Sequence, residues 1–277
     1  MNPAPYWQHW IYNLSEPALF ISCLLIVFAL SLVVGGVLLG TRRWAGEQSM
    51  SAFPVGLVTA VALPTSLVIG LMANDVARKF NEAQENVLQE ARVVASIQYT
   101  LATFPASVSA GLQEELRHYV SDELPREAQH LKRAGDGPLP LSAALARLSV
   151  GLTALTPTRA APAAVNEALV ESVQSRIRDV QRLRSARSLL ALGKMDAPQW
   201  LVVGVLLLCC AAVMIEVTAH RRRYLVMAAA LFTLSYGSLV YMILTNDRPF
   251  SGGVAVSFEP IFRTYQQQLT VLPNLPR

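Results

Sequence analysis

The chain has 277 residues, 15% of them charged and 53% hydrophobic, with a formal net charge of +4. A soluble domain carries about a quarter charged residues, so this composition excludes an ordinary water-soluble protein. The small net charge gives no case for nucleic acid as the principal partner.

The apolar residues fall in four blocks, with most of the charge between the second and third. Residues 1–17 read as an N-terminal tail without Lys or Arg. A transmembrane helix needs about 20 mostly apolar residues. Ala18 to Gly40 meets that requirement with no charge, and Glu16 on its flank is the wrong sign for a cleaved signal sequence. Phe53 to Ala73 is the second predicted span, completing a hairpin over 18–73. Trp200 to Val217 and Tyr224 to Thr245 form the second hairpin, over 198–245, and 246–277 is a C-terminal tail. Trp7, Trp10, Trp44 and Trp200 stand near span ends, where an aromatic belt belongs.

The second span carries a distinctive face. Gly56, Thr59, Leu63, Ser66, Gly70 and Asn74 recur three or four apart, and all but Leu63 are small or polar. Such a stripe either lets neighbouring helices approach closely or lines a watery path with Leu63 as its constriction. Leu57, Val58, Val61, Val68, Leu71 and Met72 make the apolar remainder, and Pro64 is placed to kink the helix. In the first span Gly36 and Gly40 form a small-xxx-small pair.

Between the hairpins, residues 74–197 read as a helical extramembrane domain. Val76, Phe80, Ala83, Val87, Ala91, Val94 and Leu101 mark one face of a helix running on from the second span, ended by Pro105. A second helix holds Leu112, Leu116, Tyr119 and Val120 and is bent by Pro125 or stopped by Gly135. After the loop from Asp136 to Pro140, Leu141 to Leu155 forms a short helix, and Thr156 to Pro162 a connection. The last central helix, from about Ala163 to Gly193, bears Arg176, Arg178, Arg182, Arg184 and Arg187. These read either as an anion- or lipid-attracting surface or as a solvated face balanced by Glu171 and Asp179.

Glu216 is the only acidic residue within a predicted span, one turn from Arg221, and reads as an interfacial charge pair. Cys23, Cys209 and Cys210 lie in apolar blocks, and the histidines lack metal-ligand spacing. No catalytic motif, metal site or cofactor site is predicted. The short connections carry Arg42, Arg43 and Arg221 to Arg223, which would place them in the cytoplasm and the termini and central domain outside. Arg78, Lys79, Arg187 and Lys194 on the other side count against that placement.

The segment Asn246-Asp247-Arg248-Pro249-Phe250-Ser251-Gly252, followed by Val256, Ser257, Glu259 and Pro260, resembles the end of the fourth span in the bestrophin-like family of mostly bacterial membrane proteins. Further matches are Glu90 with Ala91, Tyr119 with Glu123 and Pro125, and Arg184 with Arg187 ahead of Pro198 and Trp200. The family often has Trp where this chain has Leu124. The resemblance implies an all-α, two-plus-two span protein similar to the pentameric bestrophin channels, whose second span lines the pore. Thr59, Leu63, Ser66, Gly70 and Asn74 would then face a central axis. It also implies a homo-oligomer in the bacterial inner membrane, with the central domain in the cytoplasm. The leading functional expectation is an oligomeric ion channel. The alternative is a non-conducting scaffold or sensor that binds partners through its central helices.

Overall fold

In hydrocarbon a backbone must satisfy its own hydrogen bonds, and a helix does so within one segment. The computed structural model describes residues 15–45, 55–132, 139–155, 166–193, 195, 197–218, 222–251 and 255–271, and among these there are helices and no strand. In chain order they are α1 (Glu16–Ala45), α2 (Val55–Ala102), α3 (Ala106–His118), α4 (Leu124–Lys132), α5 (Ala143–Thr153), α6 (Glu167–Leu192), α7 (Ala197–Thr218), α8 (Arg222–Asn246) and α9 (Glu259–Val271). A π-helical segment, Tyr119–Glu123, joins α3 to α4. Among the described residues, four stretches are long and apolar enough to cross a membrane: Glu16–Leu38, Val58–Ala102, Ala197–Thr218 and Arg223–Asn246. The chain is an all-α, multi-pass membrane protein.

Two compact units divide the chain. The first holds α1, α2 up to Lys79, α7 and α8. Here α1 packs on α7 and α8, and Val27, Ile69, Ala73, Val203, Leu207, Phe232 and Ile243 build the apolar interior. Helices approach closely at Gly237, where a Cβ would lie 3.2 Å from the Leu24 Cα. Gly36 and Gly40 have nothing within 4 Å of such an atom, so the predicted small-residue pair makes no close contact within the chain. Hydroxyls in the spans bond to carbonyls of their own helix, as Ser31 does to Val27 O at 2.9 Å and Thr65 to Val61 O at 2.7 Å. That removes the cost of taking them out of water. α2 continues through Pro64 without ending.

The second unit holds α2 from Phe80, α3 to α6, and α9. Its core joins Ala83, Val87, Val94 and Leu101 of α2 to Leu116, Leu148, Val173 and Ile177. The helix ends have local causes. Pro105 precedes α3, and the Ser142 hydroxyl accepts from Leu145 N at 3.1 Å to cap α5. Asn166 caps α6 by accepting from Ala168 N at 3.0 Å. Pro125 lacks an N–H and cannot complete an α-turn, and the π-helical segment ends just before it. The C-terminal helix is no free tail: Ile261 and Tyr265 of α9 are part of the same core.

Several expectations fall outside the described residues: Trp7, Trp10, Gly135, Asp136 to Pro138, Thr156 to Pro162, Lys194, Arg221, Gly252 and Gly253, as do the side chains of Arg42, Arg43 and Arg222. Of the remaining belt residues, Trp44 is exposed and Trp200 packs beside the apolar interior.

Candidate functional site

The α2 stripe comes first in the chain. Thr59, Leu63, Ser66, Gly70 and Asn74 are all exposed, Leu63 to 62%. The face that α2 turns to its own unit is a different one, carrying Thr65, Ile69, Ala73 and Val76, all buried. Gly70 has open space where a Cβ would stand. Leu71 of the predicted apolar side is exposed too, as is Leu67. Glu216 is half-buried in the last turn of α7.

In the second unit, charged residues gather where apolar ones were expected. The buried positions of α6 are Val170, Val173, Ile177, Val180, Arg184 and Arg187, so the two arginines continue the apolar face. This corrects the solvated-face reading of the arginine-rich helix. Arg178 and Arg182 are exposed as expected, but Arg184 is 8% and Arg187 0% exposed. Arg176 is half-buried and donates to Ser96 O at 2.9 Å and to Thr100 Oγ1 at 2.5 Å.

A buried guanidinium is costly unless its charge and its N–H groups are met. Arg184 Nε donates to Glu127 Oε2 at 2.7 Å, and Arg187 Nε to Glu127 Oε1 at 2.9 Å. Arg187 also donates through Nη2 to Glu127 and through Nη1 to Glu90, whose other oxygen accepts from the Tyr119 hydroxyl. Two carboxylates balance two guanidinium groups, and the cluster is neutral. Aromatic faces complete it, with Arg184 Cζ 5.7 Å from the Tyr119 ring centre and Arg187 Cζ 4.9 Å from that of Phe258. Burial pushes the Tyr119 phenol well up from its ordinary pKa, and the Glu90 and Glu127 carboxylates add to the rise. Burial alone would lower the Arg187 pKa, but the carboxylates of Glu90 and Glu127 outweigh it and raise it. Each group is thereby held in the protonation state that suits its partners.

Glu90, Tyr119, Arg184 and Arg187, which the sequence singles out at separate places, thus meet at one point. Glu123 does not join them. It accepts from the Ser142 hydroxyl and, at 2.8 Å, from Ala144 N, fastening the start of α5. Glu127 takes the place in the cluster, and sequence reasoning missed it. The available signal was the register of α6, which puts two arginines on a core face and calls for carboxylates beyond Glu90.

The C-terminal run splits between the units. Asp247 and Arg248 belong to the first and are buried, and Asp247 Oδ1 accepts from Met195 N at 2.7 Å. Pro249, Phe250 and Ser251 belong to the second. Phe250 stands 6.0 Å from Phe258 between ring centres, and Val256 N donates to Pro249 O at 2.7 Å. The run therefore leads into the segment that lays Phe258 over Arg187.

Fold and cluster define a helical multi-pass membrane protein whose second unit is organised around buried charge. The profile of the bestrophin-like domain matches residues 25–261, and the chain belongs to the bestrophin-like family. Its fold is similar to crystal structures of variants of a bacterial bestrophin homologue from Klebsiella pneumoniae. One superposes with a TM-score of 0.67 at 10% identity, over 92% of this chain and 99% of that one. Two others give TM-scores of 0.64 and 0.62 at 12% and 13% identity, covering 93% and 91% of this chain and 99% and 98% of theirs. The comparison with curated proteins gave no match.

Proposed function

We propose that the chain is one subunit of an oligomeric ion channel, a pentamer on the family pattern, in the bacterial inner membrane. α2 lines its pathway through Thr59, Leu63, Ser66, Gly70 and Asn74. The observation that carries this reading is the face that α2 leaves open. A stripe used for packing within the subunit would be buried against α1, α7 or α8, whereas Thr65, Ile69 and Ala73 do that work and the stripe is exposed. Small and polar residues on an open face suit water, and Leu63 supplies an apolar constriction that excludes it. Ser66 donates to Leu63 O at 2.9 Å, which leaves its oxygen lone pairs toward the pathway. Family membership supports the same reading.

Purified protein reconstituted into liposomes should pass ions, and Leu63→Ala should widen the constriction and raise the flux. Absence of flux from correctly assembled wild-type protein would sink the proposal. So would a Leu63→Ala variant that conducts like the wild type while Leu71→Ala, on the apolar side of α2, changes conduction.

A further inference from the structure

Beside the charge cluster, within the second unit, lies a cavity of about 540 Å³ whose lining includes Leu139, Ser142, Gln181, Arg184, Ser188 and Leu189. Its volume falls in the range of about 300–1,000 Å³ typical of small-molecule sites. Arg184 is its one charged lining residue and is over nine-tenths buried. Glu127 takes the Nε edge of the guanidinium at 2.7 Å, and Nη2 makes only a long bond to Pro140 O at 3.4 Å. Nη1 meets no acceptor among the described residues, although it is not sealed from solvent. The Ser188 hydroxyl accepts from Leu139 N at 3.3 Å and keeps its own proton to donate. Around these donors the walls are apolar, and Leu141 and Leu189 are 97% and 70% exposed at the edge.

A guanidinium edge presents N–H groups at the spacing of two carboxylate oxygens. The apolar rim would cover a hydrocarbon body and gain from removing it from water. We propose that this cavity binds a small organic carboxylate with an apolar body, its carboxylate on the Nη edge of Arg184 and its chain along Leu139, Leu141 and Leu189. The cluster is neutral before the anion arrives, so long-range attraction contributes little. Binding then depends on the directed hydrogen bonds and the buried chain together, which separates this ligand class from a bare inorganic anion.

The test is calorimetric titration of the detergent-solubilised full-length protein with hexanoate, hexanamide and chloride. Hexanoate should bind saturably, with hexanamide about tenfold weaker for want of the charged acceptor. Ala146→Trp fills the cavity from a lining position outside the charge cluster and should abolish the hexanoate heat while the protein elutes like wild type. Gln181→Trp, also on the lining, serves if that variant does not fold. Equal binding of hexanoate and hexanamide would overturn the proposal, as would displacement of hexanoate by equimolar chloride or unchanged binding in a folded cavity-filling variant. The readout is heat rather than ion flux, so a negative result leaves the channel reading untouched.

Discussion

Glu123 and Glu127 are the same residue type four positions apart, yet they hold different kinds of partner. Glu123 accepts from a hydroxyl and a backbone N–H at the start of α5, neither of them charged. Glu127 faces two guanidinium groups with almost no access to water. Removing one partner of a buried ion pair leaves an uncompensated charge, at a cost of about 3–5 kcal/mol. Loss of an ordinary hydrogen bond costs about 1 kcal/mol. Glu127→Gln should therefore lower the midpoint of thermal unfolding in detergent far more than Glu123→Gln. Equal shifts would show that the cluster is not what holds the second unit together. The sequence showed both arginines and Glu90, and their positions could be read, but Glu127 could not. At 3.6 residues per turn, Glu127 would lie about 80° round the helix from Tyr119. The wider π-turn at Tyr119–Glu123 takes up much of that angle and puts both side chains on the buried side. A straight helical wheel cannot anticipate this.

The helices themselves were far more legible. Spans follow from apolar length, and the ends of α2 and α6 from Pro105 and Gly193, because these features act locally. The start of α6 is at Glu167, after its Asn166 cap, rather than at Ala163. Contacts between helices depend on which small residues meet, and there the sequence misled. Gly36 and Gly40 have the expected spacing but open surroundings, whereas Gly237, four residues after Thr233 and not singled out in the sequence, admits Leu24. An added methyl at Gly237 would sit 3.2 Å from the Leu24 Cα and closer still to its Cδ2, so the backbones must part. Gly237→Val should lower stability by about 1–3 kcal/mol through overpacking. Gly70→Ala, inside α2 with nothing within 4 Å of the new atom, should leave stability unchanged or raise it by up to about 1 kcal/mol. Thermal unfolding of the two variants side by side checks this, and a Gly70→Ala loss as large as that of Gly237→Val would mean that the α2 stripe is packed rather than open.

At the scale of the whole molecule the open matter is which side of the membrane holds the second unit. The positive-inside rule counts Lys and Arg within about 15–20 residues of span ends. The two short connections contribute Arg42, Arg43, Arg221, Arg222 and Arg223. On the other side the same window holds Arg78, Lys79, Arg92, Arg178, Arg182, Lys194, Arg248 and Arg263, besides the buried Arg184. Arg187, which the sequence alone would add to that side, is buried among carboxylates in the folded protein. That side has the excess, but it is a long domain over which the rule is weak, and the charge rule gives no vote. The placement we propose is the one the family resemblance implies, with the central unit in the cytoplasm. α9 packs into the core of that unit, so a reporter joined after residue 277 reports on the same side. A C-terminal green fluorescent protein fusion should fluoresce, and a C-terminal alkaline phosphatase fusion should be inactive. Phosphatase inserted between residues 46 and 54, in the first short connection, should be active. The reverse pattern would place the central helices outside the cell. The channel reading would then keep its pore-lining face, and any carboxylate reaching Arg184 would have to come from outside the cytoplasm.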